Sequence, residues 1–399
     1  MLANGSHRRY APSLVVRLAA GSVPLMQTRV RFVVPVLALV CGVPHTHAHD
    51  TTGAPHAHDP VAAMPLDFIT EAEGPVPAPS SESLAPGTPV TGRGFWRFVA
   101  ARDRMPVPAD AMPKVKGAHG TLVVDPQTDT VYWGLEGVGW IAFTDGLTTS
   151  AVVAQDPIFR SGNLHGADIL PRPGERPLVA VADNLTGRVY LSDTSFGNPR
   201  VLGTPALEPY ADGKKYAPTD VAFSGSERLW ITDGYGRAWF MPATVEPLRF
   251  EGHAFGGKAF SRTPHGITFD PRNGSLLVAA RPEGLIKTWD PEAHAVRAVD
   301  GLPAGSTVCD TDLWGDYALA PCLDGPDKTP GPIAIVNLRT RAVVAMLKPK
   351  ADLGYDDADH IHDACWYVTG TGDRREVYVV YTNWNPGGVG ALRLVGGGE

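Results

Sequence analysis

The chain has 399 residues, and its 44 Gly and 37 Pro make up about a fifth of it, well above ordinary usage. Only 19% of residues are charged and 43% are apolar, which fits neither a coiled coil nor a largely disordered chain. A net charge of −7 and a pI near 6.0 exclude the basic footprint of a nucleic-acid binder.

What remains is a turn-rich, all-β protein. At the N-terminus, Arg29 and Arg31 precede an apolar run from Phe32 to Val43. That order is expected of a secretory signal, and the run is too short for a membrane span. Met26 is an alternative start, and Thr46-His47-Ala48 is a tolerable cleavage site. Acylation at Cys41 is disfavoured by Val40, which stands where a small residue is expected. Residues 1–48 are read as a targeting segment directing the protein to secretion or the periplasm. Residues 49–90, with His49, His56 and His58 among Pro and Ser, are read as a flexible tether without a selected metal site.

From residue 91 to 399 one pattern recurs six times: a polar entry, an apolar alternating strand, a turn, and a second β-rich strand. The copies align on His119, His165, Thr219, His265, Cys309 and His362, at steps of 44 to 54 residues. Repeats of that length with several short strands each predict a six-bladed β-propeller with four-stranded blades. The segment Gly94-Phe-Trp-Arg-Phe-Val is expected to supply an outer strand that closes the ring.

In a propeller the first strand of each blade lines the central channel, so the six aligned positions form a ring. His165, His265 and His362 fall in alternate blades, related by a threefold rotation, and their imidazoles converge on the axis. Three neutral imidazoles with one open position is a donor set that suits catalytic zinc. His119 occupies the same slot in blade 1 and is read as structural, with a hydrogen-bonding role behind the metal as the alternative. Thr219 and Cys309 complete the ring.

These residues resemble the lyase domain of the peptidyl-α-hydroxyglycine α-amidating enzymes, a six-bladed propeller of the NHL-repeat type. The likeness spans roughly residues 119 to 395. It rests on Pro218-Thr-Asp-Val-Ala followed by Thr232-Asp-Gly-Tyr235, on His265 with Arg281 sixteen residues later, and on His362-Asp363. The resemblance implies zinc held by His165, His265 and His362. It also implies a calcium deeper in the channel, bound by Asp363 and by backbone carbonyls, one of them near Ala167. Tyr235 would be the general base, and Arg281 would hold the substrate carboxylate. The implied reaction cleaves the C–N bond of a carbinolamide to give an amide and glyoxylate. The first blade departs from the family: Val131 to Trp140 contains no arginine and carries Glu136 instead.

Cys309 and Cys322 would face each other across a two-residue turn at Gly315-Asp316, which predicts a disulfide; the alternative places Cys309 near the metal. Asp352 to Asp359 is read as a solvated loop. The expectation is an exported, metal-dependent lyase acting on a small-molecule or peptide-derived substrate at the channel mouth. Two alternatives stay open: another propeller lyase or lactonase, and a non-enzymatic binding module with a structural metal.

Overall fold

The computed structural model describes residues 84–396, apart from 214, 300, 301, 372 and 373. The proposed signal, Cys41 and most of the tether lie outside the described residues. Six antiparallel sheets make a six-bladed β-propeller. In chain order the inner strands are Gly120–Asp125, Leu164–Leu170, Asp220–Phe223, Pro264–Asp270, Asp312–Trp314 and His360–Thr369, which define blades 1 to 6. Among the described residues the only α-helix is the short Pro349–Leu353, and no helix is long and apolar enough to cross a membrane.

Closure comes from the N-terminal side, as the sequence suggested. Trp96–Ala100 pairs antiparallel with Gly388–Leu394 at the outer edge of blade 6, with Phe98 opposite Leu394. Blade 6 is therefore built from both ends of the repeat region. Carrying the N-terminal strands in the last blade closes the ring, and the blades keep only short edges.

The apolar residues explain why the blades stack. Neighbouring residues on a strand point to opposite faces of the sheet, and here both faces are covered. Leu122 packs into the seam between blades 6 and 1, whereas Val123 packs into the seam between blades 1 and 2. The same division gives each of the six seams its own hydrophobic cluster. The strands consequently read as nearly continuous apolar runs.

The inner strands of neighbouring blades share no ladder, so polar side chains link them across the gaps. Asp168 accepts from Phe223 N, Asp220 from Ile267 N, Asp312 from Trp366 N and Asp363 from Leu122 N, all at 2.6–2.7 Å. Between blades 4 and 5 the hydroxyls of Thr268 and Thr311 meet at 2.8 Å instead.

The predicted Cys309–Cys322 disulfide is not made: both cysteines are free thiols, as is Cys365. The hairpin turn is where the sequence placed it, with Trp314 opposite Tyr317. Beyond Asp312 the register slips by one residue, so that Val308 faces Cys322. A one-residue slip sends a side chain to the other face of the sheet. Cys309 then turns its thiol to the Thr307 carbonyl, and Cys322 turns its thiol to that of Ala320.

Candidate metal centre at the channel mouth

The three alternate-blade histidines share a local cause. The ladder is irregular between Leu164 and Gly166, between Pro264 and Ile267, and between Ile361 and Asp363. Each irregularity contains a histidine: His165, His265 or His362. A bulge of this kind bends the strand and re-aims the side chain at that point. The rings meet on the axis with centroids 4.6 Å (His165–His362), 4.8 Å (His165–His265) and 5.1 Å (His265–His362) apart.

Hydrogen bonds to the next blade fix two tautomers. His165 Nδ1 donates to the Thr219 carbonyl at 2.8 Å, and His265 Nδ1 donates to the Cys309 carbonyl at 2.7 Å. A carbonyl only accepts, so in the neutral ring each Nε2 carries a lone pair. Both nitrogens of His362 are buried, with the Gly120 backbone of blade 1 beside the ring. Burial, together with neighbouring imidazoles and Arg281, holds all three rings well below the usual histidine range. Neutral, buried, convergent imidazoles fit a borderline transition metal.

Tyr235 and Arg281 reach the same point. The Tyr235 hydroxyl lies 3.0 Å from His265 Nε2 and 3.3 Å from His165 Nε2, and Arg281 donates to it at 2.5 Å. Burial pushes the phenol above its usual value, and the adjacent guanidinium opposes that rise. The Thr219 hydroxyl donates to the His265 carbonyl at 2.8 Å and steadies that strand. Cys309 contributes its carbonyl to His265, while burial raises its own thiol.

His119 lies against the same cluster. Its ring centroid is 5.1 Å from that of His165 and 5.0 Å from that of His362. Ligand atoms of His119, His165 and His362 all lie within 4.8 Å of one another.

One residue below the ring lies a tier of carboxylates that the sequence reading took up only at Asp363. Asp220, Asp310 and Asp363 follow Thr219, Cys309 and His362, and line a cavity of about 10 Å³ with the histidines. Burial raises all three, Asp220 and Asp310 well above the usual range, and their mutual repulsion adds to it for Asp220 and Asp310. The remaining ring histidines of blades 2 and 4 are followed by Gly166 and Gly266. A Cβ at either glycine would sit 2.3 Å from the Oδ1 of Asp220 or Asp310, so the carboxylates occupy the space that a side chain would need. Below this tier a cavity of about 270 Å³, lined also by Asp168 and Asp312, forms the other end of the channel.

No family model and no curated protein matches the chain. Solved structures match its fold. A gluconolactonase from Xanthomonas campestris is similar at 13% identity and a TM-score of 0.50, over 78% of this chain and 98% of that one. A chain of the nidogen/laminin complex is similar at 14% identity and a TM-score of 0.46, over 69% and 96%. Identities this low show the propeller fold alone.

Proposed function

We propose that the protein is an exported, metal-dependent lyase that cleaves the C–N bond of a carbinolamide-type substrate at the channel mouth. The observation that carries this reading is the Tyr235 hydroxyl, held by Arg281 against the Nε2 atoms of His165 and His265. His165, His265 and His362 would hold the metal, zinc being an ion that neutral imidazoles suit. When bound, such an ion supplies Lewis acidity that makes a nearby substrate hydroxyl more acidic.

Tyr235 is placed to take that hydroxyl proton, and the Arg281 guanidinium stabilises the phenolate that is needed to do so. The same guanidinium offers donors to a substrate carboxylate. As the proton leaves for Tyr235, the hydroxyl oxygen closes to a carbonyl and the C–N bond electrons depart with the amide nitrogen, which takes that proton back from the Tyr235 phenol and so restores the phenolate. The products are an amide and an α-oxo acid. Asp220, Asp310 and Asp363 are all-oxygen donors suited to a hard cation such as calcium, which would relieve their repulsion.

Untagged protein tests this reading through its metal content and through glyoxylate release from an α-hydroxyglycine amide. The expected result is about one transition metal per chain and metal-dependent release. Metal without turnover of the amide would reject the lyase. A lactone panel run beside it then separates a lactonase from a binding module.

A further inference from the structure

Resting on the metal site proposed above, we infer that His119 is a fourth imidazole ligand of that centre, with Asn163 and Asn184 setting its tautomer. Three observations converge on this. The first is distance. The rings of His119, His165, His265 and His362 form five neighbouring pairs with centroids 4.6–5.1 Å apart. With metal–nitrogen bonds of about 2.0–2.1 Å, imidazoles around one ion have centroids about 4.5–5.2 Å apart. His119 and His265 each contact the shared pair His165–His362, one on either flank. His119 therefore stands to that pair as His265 does.

The second observation is the polar group behind the ring. Metal-bound imidazoles are held by a hydrogen bond at their other nitrogen. His165 and His265 bond a carbonyl of the next blade, and His119 Nδ1 likewise meets blade 2, at 3.3 Å from Asn163 Nδ2. Asn163 Nδ2 also donates to Asn184 Oδ1 at 3.1 Å. Asn163 is only 7% exposed and its Oδ1 has no partner. Turning both amides end for end gives an equally complete chain, in which Asn184 Nδ2 and His119 Nδ1 donate to Asn163 Oδ1. That arrangement puts the proton on Nδ1 and frees Nε2 as a ligand atom; the first arrangement leaves it on Nε2. Asn163 and Asn184 are thus positioning residues that decide whether His119 ligates or donates.

The third observation is the fixed ring plane. Trp384 stacks on His119 with centroids 5.3 Å apart and planes 21° apart, which fixes the plane of the imidazole; that plane stands at 36° to His165 and 76° to His362. Burial, reinforced by Arg281, keeps His119 neutral, with its pKa lowered to about 4. A fourth imidazole would fill the shell of a tetrahedral ion. The centre therefore suits a divalent transition metal that takes five or six ligands, with open positions left beside Tyr235.

Cobalt(II) titration of the metal-free, full-length protein tests this through visible absorption and affinity. Wild type, His119→Ala and Asn163→Ala are compared, with circular dichroism and thermal melting reporting the fold of each. The expected result is an altered cobalt spectrum and cobalt binding at least tenfold weaker in His119→Ala. In Asn163→Ala, whose ligands are intact, binding weakens by roughly 10- to 100-fold. An unchanged spectrum and affinity in folded His119→Ala would overturn the inference while leaving a three-histidine site. Failure of wild type to bind cobalt or zinc would reject the metal reading itself. If His119→Ala does not fold, His119→Gln and Asn163→Ala decide the matter by the same two readouts.

Discussion

Arg281 of blade 4 donates a hydrogen bond to the hydroxyl of Tyr235 of blade 3 at 2.5 Å. This pairing joins a cation to a phenol that burial would otherwise keep protonated. Replacing Arg281 by Met removes the one influence that favours the phenolate. The acid limb of the pH–kcat profile should then move to higher pH. The catalytic efficiency should fall roughly 100-fold as a charge-stabilising donor is lost. Arg281→Lys keeps the charge but not the forked geometry and should fall between the two. A limb that stays in place in Arg281→Met would separate Arg281 from the ionisation of Tyr235.

Tyr235→Phe removes the proton acceptor and keeps the ring. Loss of a positioned general base lowers turnover by about 10²–10⁴-fold. Metal content should be unchanged, because the phenol is not among the imidazole donors. Single-turnover glyoxylate release, with metal analysis of the same sample, checks both halves of this expectation. Near-normal turnover would show that another group takes the proton.

The closing strand should be a weak point of the ring if cut. Phe98 is fully buried among Leu347, Leu392 and Leu394, in the seam that joins blades 5 and 6. Phe98→Ala removes that side chain from a strand added by the N-terminal side, at a cost of about 3–5 kcal/mol. Urea unfolding followed by fluorescence and circular dichroism measures this. A loss below about 1 kcal/mol would mean that blade 6 holds without its outer strand.

The propeller was legible because its cause is repeated six times: a polar entry, two-sided apolar strands, and turns rich in Gly and Pro. Four imidazoles of the ring could likewise be placed by alignment on one position per blade. The carboxylate tier was equally available from Asp220, Asp310 and Asp363, each following a ring residue. Gly takes the position in the other three blades and masks the repeat. What sequence could not show depends on register. The bulges at His165, His265 and His362 obey no composition rule, and the single slip above Asp312 was enough to separate Cys309 from Cys322. The surroundings of His119 are hidden from the sequence for a related reason. Its partners Asn163 and Trp384 lie 44 and 265 positions away in sequence and meet it only once the ring is closed.

The carboxylate links between blades make a last prediction with a definite sign. Burial raises Asp312 to about 7, although its carboxylate accepts from Trp366 N at 2.7 Å. In the unfolded chain the same group ionises near 3.9. Between these values the unfolded state has released a proton that the folded state keeps, so stability falls as pH rises from about 4 to about 7 and is level above that. Asp312→Asn cannot ionise, while its side-chain oxygen still accepts from Trp366. The difference in melting temperature, variant minus wild type, should therefore grow from pH 4 to pH 7 and then stay constant. His119, lowered to about 4, contributes the opposite slope: the unfolded chain takes up its proton first as pH drops below about 6.5. That contribution is common to both proteins and cancels in the difference. Metal-free samples scanned by calorimetry at pH 4.5, 6 and 8 make the comparison. A difference that does not change with pH would show that Asp312 ionises alike in the folded and unfolded chains.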